Sequence, residues 1–286
     1  MKPSRECPLC HHKYPGEKNR CPSCGHWSFT ADVGPGNHDV KTDGSVLFED
    51  IDEAAIERLS TGIIDDCLGG GIIRTDVILI GGGPGAGKST LVLQICEAFC
   101  KHGTVMYVAA EEDVKAIKLR GKRLDIKTHR RLRLLPALSG VANVGAMLWA
   151  HRPNFIIMDS IDSLSGRNAD EEIVILTILK KFCVELQAPA IVISQINKAG
   201  DYAGLKAKQH AVDVLVTFDA DPVERDPEGG DYIRIMETIK NRSGRAGVRQ
   251  FFCMTPSGLV PTLDPSLVDP DDDAPESDSA PDTYEP

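Results

Sequence analysis

A chain of 286 residues that is 42% hydrophobic is long enough to bury one full α/β core with a small module attached. No apolar run approaches the roughly 18–20 residues that cross a bilayer, and the opening MKPSREC lacks the apolar stretch of a signal peptide, so a cytoplasmic protein with no membrane partner is expected. The net charge of −10 is uneven: nine acidic residues and no Lys or Arg lie between Asp264 and Pro286, which leaves a nearly neutral body whose basic clusters remain compatible with nucleic acid.

Composition divides the chain into a metal-binding module over residues 1–29, a linker over 30–50, an α/β core over 51–260 and a disordered acidic tail over 261–286. Four of the nine cysteines form two C-x-x-C pairs, Cys7/Cys10 and Cys21/Cys24, separated by ten residues. Four thiolates in two tight turns satisfy tetrahedral Zn²⁺, and the metal would supply most of the folding energy of so short a segment. A redox dithiol is the rival reading. His11, His12 and His26 lie nearby and read as exposed polar residues, because a Cys₄ site needs none of them. The other five cysteines are scattered through the core, as buried reduced thiols usually are.

After the linker, Arg58-Leu59-Ser60-Thr61-Gly62 and Leu68-Gly69-Gly70-Gly71 lead into VILIGGGPGAGKST, residues 77–90. Its β-branched start predicts a buried parallel strand. Gly82-Gly83-Pro84-Gly85-Ala86-Gly87-Lys88-Ser89 is a full match to G-x-x-x-x-G-K-[ST], and Leu91, Ile95 and Phe99 predict a helix that Gly103 stops. Strand, glycine loop and helix form the context in which backbone N–H groups close around β- and γ-phosphates at a helix N-terminus. Lys88 is expected to reach the β/γ-oxygens, Ser89 to hold Mg²⁺, and the loop through Thr90 to bind the nucleotide.

A second apolar strand over 105–108 runs into Ala109-Ala110-Glu111-Glu112. Carboxylates at the carboxyl edge of a parallel sheet can align an attacking water, or they can simply open the next helix. Residues 115–133 hold nine Lys and Arg, read first as a solvated helix face and second as a phosphate-backbone contact. Phe155-Ile156-Ile157-Met158-Asp159 has the form of a Walker B strand, with Asp159 holding Mg²⁺ through water beside Ser89. A helix is expected over 171–187 and a buried strand over 190–195 that ends in Gln195. The stretch 197–204, with Lys206, Lys208 and His210 behind it, is either a loop touching single-stranded nucleic acid or an ordinary surface loop. Strands over 214–218, 231–240 and 248–254, the last two joined by the basic turn 240–245, predict a mostly parallel sheet with an antiparallel end.

Together these stretches resemble the bacterial RadA/Sms branch of the RecA-type ATPases over roughly residues 5–255. CPSCGHW is similar to the second half of that family's finger, RLSTGIIDDCLGGGI to its lead-in and GGGPGAGKST to its Walker A loop. YVAAEE, MDSIDSL and NKAGDYAGLKAKQHAVDVLVTF resemble its acidic-pair strand, its Walker B and its lysine-containing loop, and KNRSG its KNRFG signature. The resemblance implies a RecA-type P-loop core binding ATP and Mg²⁺, with zinc on Cys7, Cys10, Cys21 and Cys24. It implies that Glu111 polarises water with Glu112 as understudy, that Gln195 senses the γ-phosphate, and that Lys240 and Arg242 reach a neighbour's nucleotide or line a DNA channel. A hexameric ring moving on single-stranded or branched DNA in recombination and repair follows from the same likeness. Two departures stand out: Ser243 replaces the signature Phe, and the family continues into a Lon-protease-like domain where this sequence runs into its acidic tail. Two further readings are a nucleotide-gated adaptor that recruits a protein partner through that tail and a KaiC-like signalling ATPase.

Overall fold

The computed structural model describes residues 4–6, 12–15, 22–23, 56–127, 130–136, 141–195, 208–225 and 232–264, in two units, Met1–Glu53 and Ala54–Pro286. In the first unit β1 (Ser4–Glu6) and β2 (Lys13–Pro15) pair antiparallel. The four cysteines expected to bind zinc, the 30–50 linker, the 197–204 stretch and the tail beyond Asp264 lie outside the described residues.

The second unit begins with a two-stranded pair, β3 (Arg58–Leu59) and β4 (Ile72–Ile73). β5 (Val77–Gly82) follows, buried along its whole length, and α1 (Lys88–Cys100) starts at the loop lysine, where Gly87 is left-handed. Next come β6 (Val105–Ala109), α2 (Val114–Arg123), β7 (Leu132–Pro136), α3 (Val141–His151) and β8 (Phe155–Asp159). The short α4 (Ile161–Leu164), α5 (Ala169–Leu186) and β9 (Ala190–Gln195) complete the alternating part. β10 (Val214–Arg225), β11 (Tyr232–Asn241), β12 (Arg249–Thr255) and β13 (Gly258–Thr262) close the chain as a meander.

Among the described residues nine strands form one sheet in the order β13-β12-β11-β10-β5-β9-β8-β6-β7. From β10 to β7 every pairing is parallel, and from β10 to β13 every pairing is antiparallel, as the sequence predicts. Period-two alternation splits the central strands between two faces. Ile78 and Ile80 pack with α1 residues Leu91, Ile95 and Phe99, whereas Val77 and Leu79 pack with Leu176, Leu179 and Phe182 of α5. Each such side chain contributes roughly 1.5–3 kcal/mol when fully buried, so a strand apolar on both faces folds only between two helical layers.

Helix ends follow local chemistry. Asp113 caps α2 by accepting from Lys115 N–H at 2.6 Å, and three basic residues in its last turn complement the negative dipole end. Asn168 caps α5 by accepting from the Asp170 and Glu171 N–H groups. α2 buries Ile117 and leaves Lys115, Lys118 and Lys122 exposed, so the basic run is a solvated helix face as far as Arg123, and its last residues enter the edge strand β7.

Candidate active site

The parallel strands deliver their carboxyl ends to one edge, where open α/β sheets bind ligands. β5 ends in the glycine loop, β6 in Glu111 and Glu112, β8 in Asp159 and β9 in Gln195. Two loop positions admit no side chain: one on Gly82 would strike the Phe218 carbonyl of β10, and Gly87 has a φ of 104°, which L side chains rarely adopt. Glycine is therefore required at both positions. Asp219, just past Phe218, accepts the Gly83 N–H. Around the loop lies a cavity of about 370 Å³ lined by Pro84, Gly85, Gly87, Lys88, Ser89, Thr90, Glu111, Glu112, Arg120, Arg123, Ile193, Gln195 and Met254.

Lys88 is buried, and its ammonium donates to the Gly82 and Gly83 carbonyls at 2.6 Å each. Burial pushes its pKa down, opposed by the charges of Asp219, Glu111, Asp159 and Asp162. Carbonyl oxygens are weak counter-ions for a buried cation, so this lysine is poised for an anionic oxygen.

Asp159 is 4% exposed. Its Oδ2 accepts the Tyr107 hydroxyl at 2.5 Å, whereas Oδ1 has no hydrogen-bond partner among the described residues. Burial raises the Asp159 pKa; the Tyr107 and Ser89 hydroxyls lower it and the nearby Glu111 and Glu112 charges raise it again. The Tyr107 phenol is pushed well up by its own burial and by Asp159. A buried carboxylate oxygen without a donor, beside Ser89, fits a hard divalent cation such as Mg²⁺.

The two residues of the acidic pair have different partners. The backbone N–H groups of Ala110 and Glu111 donate to the Asp159 carbonyl at 2.8 and 3.2 Å, which fixes Glu111 beside the end of β8. Glu111 Oε1 accepts from Gln195 Nε2 at 2.7 Å. Glu112 instead pairs with Arg120 of α2 at 2.7 Å. Both carboxylates line the cavity, Glu111 held by Gln195 of β9 and Glu112 held by Arg120 of the next helix.

Lys240 and Arg242 do not join the loop of their own chain. Asn241 pairs with Val214, and Val214 with Ile78 at the start of β5, so both stand at the opposite edge of the sheet. There Lys240 donates to the Gln209 and Val212 carbonyls at 2.5 and 2.7 Å, and Arg242 reaches Asp213 at 3.3 Å. The Ser243 carbonyl accepts from Arg58, so the signature turn packs on the lead-in strand. Lys208 is also placed differently from the solvent-facing loop lysine of the sequence reading: it is 5% exposed and ion-paired with Glu172 at 2.6 Å. Arg120, Arg123, Tyr107, Asp219 and Met254 belong to the site without having been singled out for it. For Arg120 a signal was present, since it shares a helical face with Ile117 and Leu124, both buried.

The family model "ATPase: KaiC" matches residues 59–132. The DNA repair protein RadA of Aquifex aeolicus is 33% identical over 273 residues, 91% of this chain and 60% of that protein. RadA of Streptococcus pyogenes is 31% identical over 92% of this chain, and RadA of Bacillus subtilis 27% over 92%. The chain thus spans about 60% of the length of these relatives. In fold, the crystal structure of a KaiC-like protein from Pyrococcus horikoshii aligns with a TM-score of 0.59 over 73% of this chain and all of that one, at 17% identity. The chain has a P-loop α/β core with the fold of a KaiC-like protein and is similar to the RadA DNA repair proteins over nearly all of its own length.

Proposed function

We propose that this chain is an ATP hydrolase of the RadA type, stimulated by single-stranded or branched DNA and acting in recombination and repair. The observation that carries the reading is the placement of Glu111, held by Gln195 and tied to the end of β8, beside a loop whose lysine and glycines await a polyphosphate. In this reading Gly82 to Thr90 hold the phosphates of ATP and Lys88 exchanges its two loop carbonyls for β/γ-oxygens. Ser89 and Asp159 would hold Mg²⁺, which would neutralise charge on the phosphates. Glu111 orients a water for in-line attack on the γ-phosphorus and accepts its proton as the bond to the β–γ bridging oxygen breaks and ADP leaves, while Gln195 links the γ-phosphate to that carboxylate.

The exposed Lys115, Lys118, Lys122 and Lys127 supply a surface for nucleic-acid phosphates. Lys240 and Arg242, far from their own loop, suit contact with a neighbouring subunit's nucleotide in a ring, a hexamer by resemblance. Cys7, Cys10, Cys21 and Cys24 are assigned to Zn²⁺ on their spacing, and the acidic tail to a protein partner. Among the described residues no helix is long and apolar enough to cross a membrane.

Steady-state ATP hydrolysis with and without a single-stranded oligonucleotide, with Lys88→Ala as the blank, tests the reading. Stimulation that fades as salt rises is expected, because phosphate contacts release counter-ions. Hydrolysis indifferent to DNA would favour the nucleotide-gated adaptor or a KaiC-like signalling ATPase instead.

A further inference from the structure

Behind Gln195 lies a buried ionic cluster that the proposed chemistry does not use. Lys208 Nζ sits 2.6 Å from Glu172 Oε2, 2.8 Å from the Ser194 hydroxyl and 3.6 Å from Asp162 Oδ1. Asp162 faces both ways. Its Oδ1 accepts the Ser194 hydroxyl at 3.2 Å, and its Oδ2 accepts the backbone N–H of Gln195 at 2.7 Å. Gln195 then donates from its side chain to Glu111. A continuous path of polar contacts therefore runs from Lys208 through Asp162 and Gln195 to Glu111.

Replacing such a cluster with apolar packing is often neutral or stabilising, so fold stability alone is a poor reason for it. Removing its cation is another matter, because two buried carboxylates would face each other without compensation. The Lys208 ammonium, 3.6 Å from Asp162 Oδ1, anchors the carboxylate whose other oxygen accepts the Gln195 backbone N–H at 2.7 Å. An amide set at the end of β9 in turn fixes where the Gln195 side chain starts.

We propose that Lys208 is a positioning residue: through Asp162 it sets Gln195, and with it Glu111, for recognition of the γ-phosphate. The inference rests on the nucleotide reading of the site.

The experiment measures the affinities of the full chain for fluorescent ADP and for a fluorescent non-hydrolysable ATP analogue, both with Mg²⁺. The variants are Lys208→Met, Lys208→Arg, Gln195→Ala and the Lys208→Met/Gln195→Ala double. In Lys208→Met the preference for the triphosphate over ADP falls about tenfold, the scale of one charge-assisted hydrogen bond, while ADP affinity is unchanged. Lys208→Arg restores most of the preference, and the double variant is no worse than Gln195→Ala alone. An unaltered preference in Lys208→Met, or losses that multiply in the double variant, overturns the inference. Should Lys208→Met fail to fold, Glu172→Gln/Lys208→Gln removes both charges together and carries the same expectation. A wild-type chain that binds neither nucleotide would sink the nucleotide reading itself, a different result from a wild type that binds both and a variant that behaves like it.

Discussion

Asp159 and Asp213 are the same residue type, each 4% exposed, at opposite edges of one sheet. Asp213 is saturated: Oδ2 accepts from Val77 N–H at 2.9 Å and from Lys180 at 2.6 Å, and Oδ1 meets Arg242 at 3.3 Å. Asp159 has the Tyr107 hydroxyl on Oδ2, the Ser89 hydroxyl close enough to lower its pKa and, among the described residues, no hydrogen-bond partner on Oδ1. A folded chain rarely leaves a buried polar atom unpaired without a use for it. The saturated carboxylate staples β5 to its surroundings, and the unsaturated one is the carboxylate that the proposed function assigns to Mg²⁺. Lys88, bonded to loop carbonyls, is the matching unfinished cation on the same edge.

The largest effects should divide along this line. Lys88→Ala is expected to lower ATP turnover by about 10²–10³-fold, the scale of losing one preorganised charge at a reacting centre. Its melting temperature should hold, since a buried cation facing carbonyls adds little to stability. Asp213→Ala should do the reverse, removing about 2–4 kcal/mol of stability by orphaning the Val77 amide and leaving Lys180 without its carboxylate partner while turnover per folded molecule persists. Thermal melts and hydrolysis measured on both variants check the division. Turnover lost in Asp213→Ala with its fold intact would erase it.

The adjacent carboxylates sharpen it further. Glu111→Gln should slow turnover about 10²-fold with nucleotide affinity retained, as removal of a group needed in the transition state does. Glu112→Gln, which loosens a half-buried pair with Arg120, should cost no more than about fivefold, in line with a pair worth up to 1 kcal/mol. Equal losses in the two variants would mean that the Gln195 contact does not select the working carboxylate.

What the sequence makes legible here is what short-range geometry dictates. The glycine loop, its lysine and the strand ending in Asp159 each lie within one supersecondary unit, and the sheet turns antiparallel where the alternation of helix and strand stops. β7 is hidden because Leu132-Arg133-Leu134 closes a basic run and forms a half-buried edge strand without a continuous apolar stretch. α3 is hidden for the opposite reason. VANVGAMLWAH is apolar nearly all round, so its buried Val144 and Leu148 do not stand out from exposed Met147 and Trp149. Lys208 misleads because its partners Glu172 and Asp162 are remote in sequence, and composition alone places an isolated lysine in solvent. Charge reads directly from a sequence; its burial follows from tertiary pairing.

The smallest expected effect tests the unspent oxygen itself. Burial raises the Asp159 pKa above the ordinary 3.8, so the folded chain holds that proton where an unfolded chain has released it. The group then subtracts stability as pH rises from about 3.8 through the raised folded value. Mg²⁺ competes with the proton for the carboxylate, so its stabilising effect on the ADP-bound chain should be full at neutral pH and fade on acidification, sooner than an ordinary aspartate would allow. Tyr107→Phe removes a hydrogen bond that lowers this pKa, and the fading should therefore begin at higher pH. Asp159→Asn should abolish the Mg²⁺ response, and Asp213→Asn should leave it intact. Melting curves at fixed ADP, with and without Mg²⁺ across the acid range, read all four cases. A Tyr107→Phe profile displaced towards lower pH would mean that the hydroxyl favours the protonated carboxyl, and that Asp159 is not held ready for the metal.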